Sequence, residues 1–366
     1  MESILDTLQK FVKIKSVSSD LINTTIAIDF VQDWFKGIPG LHCRREISDG
    51  VSSVLISTKE ALDFDVLMLG HADVVPAHES DFEPKIDGDK FYARGSADMK
   101  GMVSVAMHVL AMLPSNVKLD KSIGLLVVSD EEIGGHNGAE YWVNKLGVRA
   151  KILLDMDAGS SIDIMVEKSK APVFVKFTST GVSAHGSLPW LGVDAIEELM
   201  LTLNNLRREF PYYSQLNSIN DEWIPTMHIG KFNGGEAVNS VSETASAEVD
   251  FRLTDVMKPS ELKELIDVSC RPKVKYEIVS SANIVKTDVS NPVIQKYIKL
   301  VESKINRTIK FISMGGSTDA KHFALSNTVI IPHQATGDNI HNDGEWVCIS
   351  DLNLMFEIYT KFITEI

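Results

Sequence analysis

Five short stretches carry the side chains that could bind cations and activate water: His71-Ala72-Asp73, the lone Asp98 of SADMKG, Glu131-Glu132 within SDEEIGG (129–135), Asp155-Met156-Asp157, and His341 within GDNIHNDGEWV (337–347). Carboxylates gathered in one crevice raise each other's pKa, and a multivalent cation removes that conflict. In an extended segment His71 and Asp73 point to the same side, so Asp73 can hold the far ring nitrogen of His71 and leave the near one for a metal. Asp98 stands just before an apolar helix, where both of its oxygens can be used and the helix dipole steadies its charge, as a bridge between two ions requires. Glu131 and Glu132 are neighbours that leave the chain in different directions. One can then bind metal while the other faces the substrate as a general base. Taken singly, each feature has an ordinary explanation: a surface His-Asp pair, a solvated acidic turn, or an isolated aspartate. Asp155 and Asp157 compete for the same part. The chemical reading rests on their conjunction.

The elements that must position these residues follow an α/β rhythm. Strand-length apolar runs at 52–57, 65–70, 122–128 and 150–156 alternate with helical spacing at 101–113 and 138–147, after helices expected over 2–14 and 25–37. Continuous apolar strands separated by helices predict a mostly parallel sheet covered on both faces. His71 with Asp73, Glu131 with Glu132, and the Asp155-Asp157 pair then fall at the carboxyl ends of successive strands, where ligands of open α/β sheets bind, while Asp98 lies in a loop against the start of the 101–113 helix. From about residue 172 the texture changes. The stretches 172–183 and 242–253 alternate in period two, helices are expected at 193–209 and 259–268, and a further strand at 273–279. A helix over 291–304, a strand over 328–332 and a helix over 350–364 restore the first pattern. The simplest organisation is a discontinuous catalytic domain, 1–171 with 283–366, interrupted by an inserted two-layer α+β domain at 172–282.

A net charge of -14 with no basic patch excludes nucleic acid and acidic membranes as partners and favours a small molecule or peptide. The three cysteines, Cys43, Cys270 and Cys348, are widely spaced and odd in number, which predicts reduced thiols and a cytoplasmic protein. The amino-terminal residues lack the layout of a signal peptide, and no apolar run reaches membrane-spanning length. Of the ten histidines, His108 and His228 are expected to be packing residues.

The motifs H-x-D-x-V-P (71–76), S-x-D-M-K-G (96–101) and D-E-E-x-G (130–134) together resemble those of the dinuclear zinc exopeptidases and aminoacylases. That family includes desuccinylases, deacetylases, glutamate carboxypeptidase and peptidase T, and the similarity extends over nearly the whole chain. The resemblance implies one zinc on His71, Asp98 and Asp157, a second on Asp98, Glu132 and His341, and Glu131 as base. It also implies a cis peptide between Asp98 and Met99. In the inserted domain, TGVSAHGSLP (180–189) resembles the lid motif, whose histidine, here His185, reaches the active site of a partner subunit. This implies a homodimer. Asn239 and Arg252 correspond to residues that grip the substrate carboxylate, and Ser317 and Thr318 lie in a stretch similar to the glycine-rich substrate loop. Without the resemblance these four are a turn asparagine, a strand-edge arginine and a capping pair.

Two features depart from the family pattern. His78 stands where glycine is usual and Phe82 where tryptophan is usual, so the pocket rim is expected to differ. The third-strand ligand is aspartate, followed by Ala158-Gly159, which is closer to the di- and tripeptidase pattern than to the desuccinylase one. The implied activity is metal-dependent hydrolysis of an amide beside a free carboxylate, with Zn2+ expected and Co2+ or Mn2+ as substitutes. A peptidase is mildly favoured over an N-acyl amino acid deacylase. The rival from another class is a non-catalytic metal-binding or ligand-binding protein on the same scaffold, for which Glu131 beside Glu132 would have no use.

Overall fold

The computed structural model describes residues 2–116, 120–211 and 223–366. The chain divides into two compact units. One comprises residues 1–168, 286–314 and 318–366; the other comprises 169–285 with 315–317.

The larger unit is built on a six-stranded sheet in the order His42–Ser48, Val51–Ser57, Ile123–Val128, Asp63–His71, Arg149–Asp155, Val329–Pro332. The last four strands run parallel, and the first two form an antiparallel hairpin that continues the sheet. Every residue of Ile123–Val128 is buried, as are the last six of Asp63–His71. This is why these strands read as unbroken apolar runs: a sheet covered on both faces has no polar side. Val54, Met68, Leu125 and Leu154 pack into one core with the helices Ile4–Val12, Leu21–Trp34, Gly101–Asn116, Pro292–Ile305 and Ile349–Glu365.

The structure differs from the sequence reading in a few places, each with its own physical cause. The second helix starts at Leu21 rather than 25, because the Asp20 carboxylate accepts from the amides of Ile22 and Asn23 and so caps it earlier. The strand His42–Ser48 was not expected at all. It is a mostly exposed edge carrying Arg44, Arg45 and Glu46, so it shows no apolar run. The signal that could have revealed it is Asp49-Gly50, both at positive φ, which closes the two-residue turn of the hairpin.

The smaller unit is a four-stranded antiparallel sheet in the order Thr226–Gly234, Thr244–Leu253, Ala171–Thr180, Val274–Ser281. The helices Ala195–Arg207 and Pro259–Ser269 supply the other side of its core. Val173, Val175 and Phe177 alternate inward with Phe174, Lys176 and Thr178 outward, as half-buried strands must. The same alternation corrects the reading of His228. Met227 takes the inward position, which leaves His228 exposed rather than packed.

Candidate metal centre

The parallel register sets the site. His71 is the last residue of its strand and lies opposite Val128, while Leu69 of the same strand lies opposite Asp155 on the other side. The segments leaving these three strand ends therefore start side by side. Asp98 arrives from a tight turn, Ser96–Lys100, which leads directly into the helix Gly101–Asn116 and contains a cis peptide between Asp98 and Met99.

The two oxygens of Asp98 face different imidazoles. Oδ1 lies 2.9 Å from Nε2 of His71, and Oδ2 lies 3.1 Å from Nε2 of His341. Asp157 lies 3.7 Å from the same nitrogen of His71, and Glu132 lies 3.0 Å from that of His341. Two trios result, His71–Asp98–Asp157 and Asp98–Glu132–His341, each able to offer three ligand atoms to one ion. Asp155 belongs to neither. Its carboxylate accepts from the hydroxyl of Thr318 at 2.8 Å and from the amide of Asp157 at 3.4 Å.

Asp73 does more than the sequence reading foresaw. Nδ1 of His71 is nearer to the backbone carbonyl of Asp73, at 3.0 Å, than to its carboxylate, at 3.4 Å. The carboxylate accepts instead from the hydroxyl of Ser18 at 2.8 Å and from the amides of Glu131 and Glu132 at 3.3 and 3.2 Å. One buried aspartate thus holds both the imidazole and the turn that carries the paired glutamates.

Proton affinities follow from crowding four carboxylates with two imidazoles. Burial, together with the charge of Asp319, pushes Glu131 up to about 8, although His71 and Lys321 pull the other way. Burial and the neighbouring Asp98 hold Asp157 well above the usual carboxylate range. Hydrogen bonds that His341 donates to Asp98 and Glu132 push it up to about 10. For His71, burial opposes the charge, but Asp73, Asp98 and Asp157 outweigh it and its pKa rises. Burial likewise works against ionised Asp98, yet His341 and His71 hold its pKa down. Protons on the imidazoles stand where cations would. A mixed set of imidazole nitrogens and carboxylate oxygens, three to each trio, suits divalent ions such as zinc.

Several contributors were not foreseen. Lys321 is buried with its ammonium 3.8 Å from Glu131 and 3.4 Å from Asp319. Glu345 and Arg94 form a buried ion pair at 2.7 Å beneath the Asp98 turn. Glu131 lies far from Lys321 in the chain, as Arg94 does from Glu345, so no local pattern marks these two pairs.

The remaining candidates sit as follows. The Thr318 hydroxyl is buried and bonded to Asp155, whereas the buried Ser317 hydroxyl has no hydrogen-bond partner among the described residues. In the smaller unit, His185 is exposed, and its Nδ1 accepts from the amide of Ser187 at 3.2 Å. Its neighbour Gly186 donates to the Asn239 carbonyl at 2.8 Å, so His185 and Asn239 are adjacent. Arg252 is gripped by the Asp250 carboxylate, at 2.9 Å from its Nε, and lies over the Phe174 ring. Arg252 lies eight residues along the Thr244–Leu253 strand from Thr244, roughly 26 Å at the rise of a strand, and Asn239 precedes the Thr244 end. At the rim, His78 precedes a short turn, Glu79–Phe82, whose Phe82 is buried. Of the histidines given no role, His108 is buried against Trp34 and bonded to Thr7, and His333 is buried between Tyr297 and the Ile162 carbonyl.

An α/β sheet with imidazoles and carboxylates converging at its strand ends defines a metallohydrolase. Residues 67–365 match Peptidase family M20/M25/M40, and the chain belongs to that family. It is 25 % identical over 328 residues to an uncharacterized metallohydrolase of Methanocaldococcus jannaschii, covering 81 % of this chain and 80 % of that one. It is 26 % identical over 293 residues to a probable succinyl-diaminopimelate desuccinylase of Staphylococcus epidermidis, covering 70 % and 71 %. Its fold is similar to that of an M20 family metallo-carboxypeptidase of Sulfolobus solfataricus, with a TM-score of 0.79 over 99 % of both chains at 18 % identity. Among the described residues no helix is long and apolar enough to cross a membrane.

Proposed function

We propose that the protein hydrolyses the amide bond next to a free carboxylate in small peptides, using two divalent ions. The observation that carries this is the division of the Asp98 oxygens between His71 and His341, with Glu131 beside the second trio. His71, Asp98 and Asp157 hold one ion; Asp98, Glu132 and His341 hold the other. Bound there, zinc, or cobalt or manganese in its place, supplies Lewis acidity and lowers the pKa of coordinated water. Glu131 takes the proton of the attacking water and returns it to the leaving nitrogen. Asp73 acts through others, fixing the His71 ring and the amides of the glutamate turn. Ser317 and Thr318 contact substrate through their backbone, since the Ser317 hydroxyl is buried and that of Thr318 is engaged by Asp155.

His185 supplies a donor to the developing oxyanion. Because its Nδ1 accepts the Ser187 amide, the proton resides on Nε2, the nitrogen left to face a carbonyl. Asn239 and Arg252 grip the substrate carboxylate. A span of roughly 26 Å prevents one copy of the smaller unit from presenting both His185 and Arg252 to one small substrate. They meet only if two copies contribute, which supports a homodimer. The exposed edge strand Thr226–Gly234 offers the surface: Ile229 and Phe232 share a depression with Met200 of the neighbouring helix. Mixing inactive His185→Ala with inactive Arg252→Met protein should then restore about a quarter of the activity, since half of randomly mixed dimers carry one intact site. No recovery after subunit exchange would sink the shared site.

The aspartate at position 157 favours a di- or tripeptidase or a carboxypeptidase-like enzyme. Deacylation of N-acyl amino acids is the second reading, supported by the similarity to a probable desuccinylase. The test is turnover of metal-free protein, before and after adding zinc, cobalt or manganese, on dipeptides, tripeptides, N-acetyl and N-succinyl amino acids and their carboxyl-amidated forms. Metal-dependent cleavage of the free acids alone is expected. Activity indifferent to chelator, or no cleavage of any of them, overturns the proposal. The three cysteines are free, which fits a reducing cytoplasm; recovery in a periplasmic or secreted fraction would refute that location.

A further inference from the structure

We infer that Glu345 is a positioning residue for the metal centre, presetting with Arg94 the turn of Asp98 and the loop of His341 before any ion arrives; this rests on the two-ion reading above. Glu345 is 3 % exposed, and its carboxylate is fully engaged. Oε2 accepts from Arg94 at 2.7 Å and from the Gly95 amide at 3.0 Å. Oε1 accepts from the amides of Ala97 and Asp98 at 2.8 and 3.1 Å. Gly95 has a φ of +79°, a conformation that suits glycine and turns neighbouring amides toward one acceptor. The other arm of Arg94 donates to the carbonyl of Asn342, next to His341, at 3.1 Å. One buried ion pair therefore ties together two segments about 250 residues apart in sequence that carry both of the Asp98–His341 ligands.

A carboxylate present only to neutralise Arg94 would not need three amides of the turn that bears the bridging ligand. The two ligand loops also differ in how much else holds them. Asp98 is secured from behind by the helix that begins at Gly101 and by the Lys100 amide, which donates to the Gly95 carbonyl. His341 sits at a φ of +65° in a loop whose ends are the paired strands Gly337–Asp338 and Trp346–Cys348, the second of them joined to Lys90–Tyr92, but beside the ligand itself the bond from outside the loop is the one from Arg94 to the Asn342 carbonyl. Loss of Glu345 should therefore weaken the ion shared with His341 and largely spare the one shared with His71.

The test is a Co2+ titration of metal-free protein, followed by visible absorption, on wild type, Glu345→Gln and His341→Ala. Wild type should take up two ions. Glu345→Gln should bind the first as wild type does and the second 10–100-fold more weakly, the usual consequence of removing a partner that orients ligands. The missing absorption band should be the one that His341→Ala lacks. Two ions bound by folded Glu345→Gln with wild-type affinity, or both weakened equally, would overturn the inference while leaving the two-ion reading intact. Fewer than two ions in wild type would overturn that reading and this inference with it. If Glu345→Gln does not fold, Arg94→Lys keeps the charge but loses the fork. It should weaken the same ion to a smaller degree, and an unchanged second affinity there counts against Glu345.

Discussion

The two halves of the centre use the same chemistry on different mounts. His71 ends a central strand, is 1 % exposed and has its far nitrogen held by Asp73. His341 is 51 % exposed and sits in a loop with left-handed backbone, held by side chains from elsewhere. Their shared carboxylate, Asp98, is all that the two trios have in common. The difference shows that a binding site can take one half from the rigid skeleton of a sheet and the other from a loop, provided that something buried pins the loop. It also separates what each histidine does for the fold from what it does for an ion.

Glu131 belongs to neither half, so its removal should leave both intact while causing the largest functional loss. Glu131→Gln is expected to lower turnover about 10²–10⁴-fold with the bound metal unchanged. Retained turnover would place the base elsewhere, and loss of metal would merge Glu131 with the second trio. The histidines test the comparison directly, through urea unfolding of metal-free variants. His71→Ala should cost about 1–3 kcal/mol, because it leaves buried carboxylates without a hydrogen-bond partner. His341→Ala also strips a partner from Asp98 and Glu132, but the 51 % exposed ring leaves them open to water, so it should cost less, about 1 kcal/mol, while losing one ion. Equal costs would mean that the contrast in mounting has no energetic content.

The smallest effect concerns the bed under the strand-mounted half. The amide of His333 donates to the Asp155 carbonyl, and its ring is locked between the Tyr297 hydroxyl and the Ile162 carbonyl. Burial lowers its pKa from the ordinary 6.5 to about 4. Below 6.5 the unfolded chain therefore binds a proton that the folded chain refuses. Its contribution to stability is present above 6.5 and declines as the pH falls toward 4. In the first pH unit below 6.5 the loss is about 1 kcal/mol. His333→Gln should show a flatter pH dependence of unfolding by that amount over that unit, and an unchanged slope would mean that water reaches the ring.

Much of this could be read from the chain. The strands that carry His71 and the glutamate turn are apolar throughout because both faces of the sheet are covered, and the helix after Asp98 is apolar for the same reason. What escaped the reading has equally physical causes. The edge strand His42–Ser48 buries little and so has no apolar signature, and the cap at Asp20 outweighed the apolar spacing that follows it. His228 lay in an apolar context, but strand alternation turned it outward. Asp155 and Asp157 look alike in sequence, and their surroundings separated them: Thr318 occupies one, and His71 with Asp98 faces the other.

Local order along the chain was enough to specify which residue types gather, at the ends of which strands, and that a cation is needed among them, because burial periodicity and like-charge repulsion are properties of short segments. Which oxygen faces which imidazole was decided only when remote segments met. So was the pinning of the His341 loop through Arg94 and Glu345. Contacts across about 250 residues leave no periodic trace in the chain, and they exist only once a common core has brought their anchors within hydrogen-bond range.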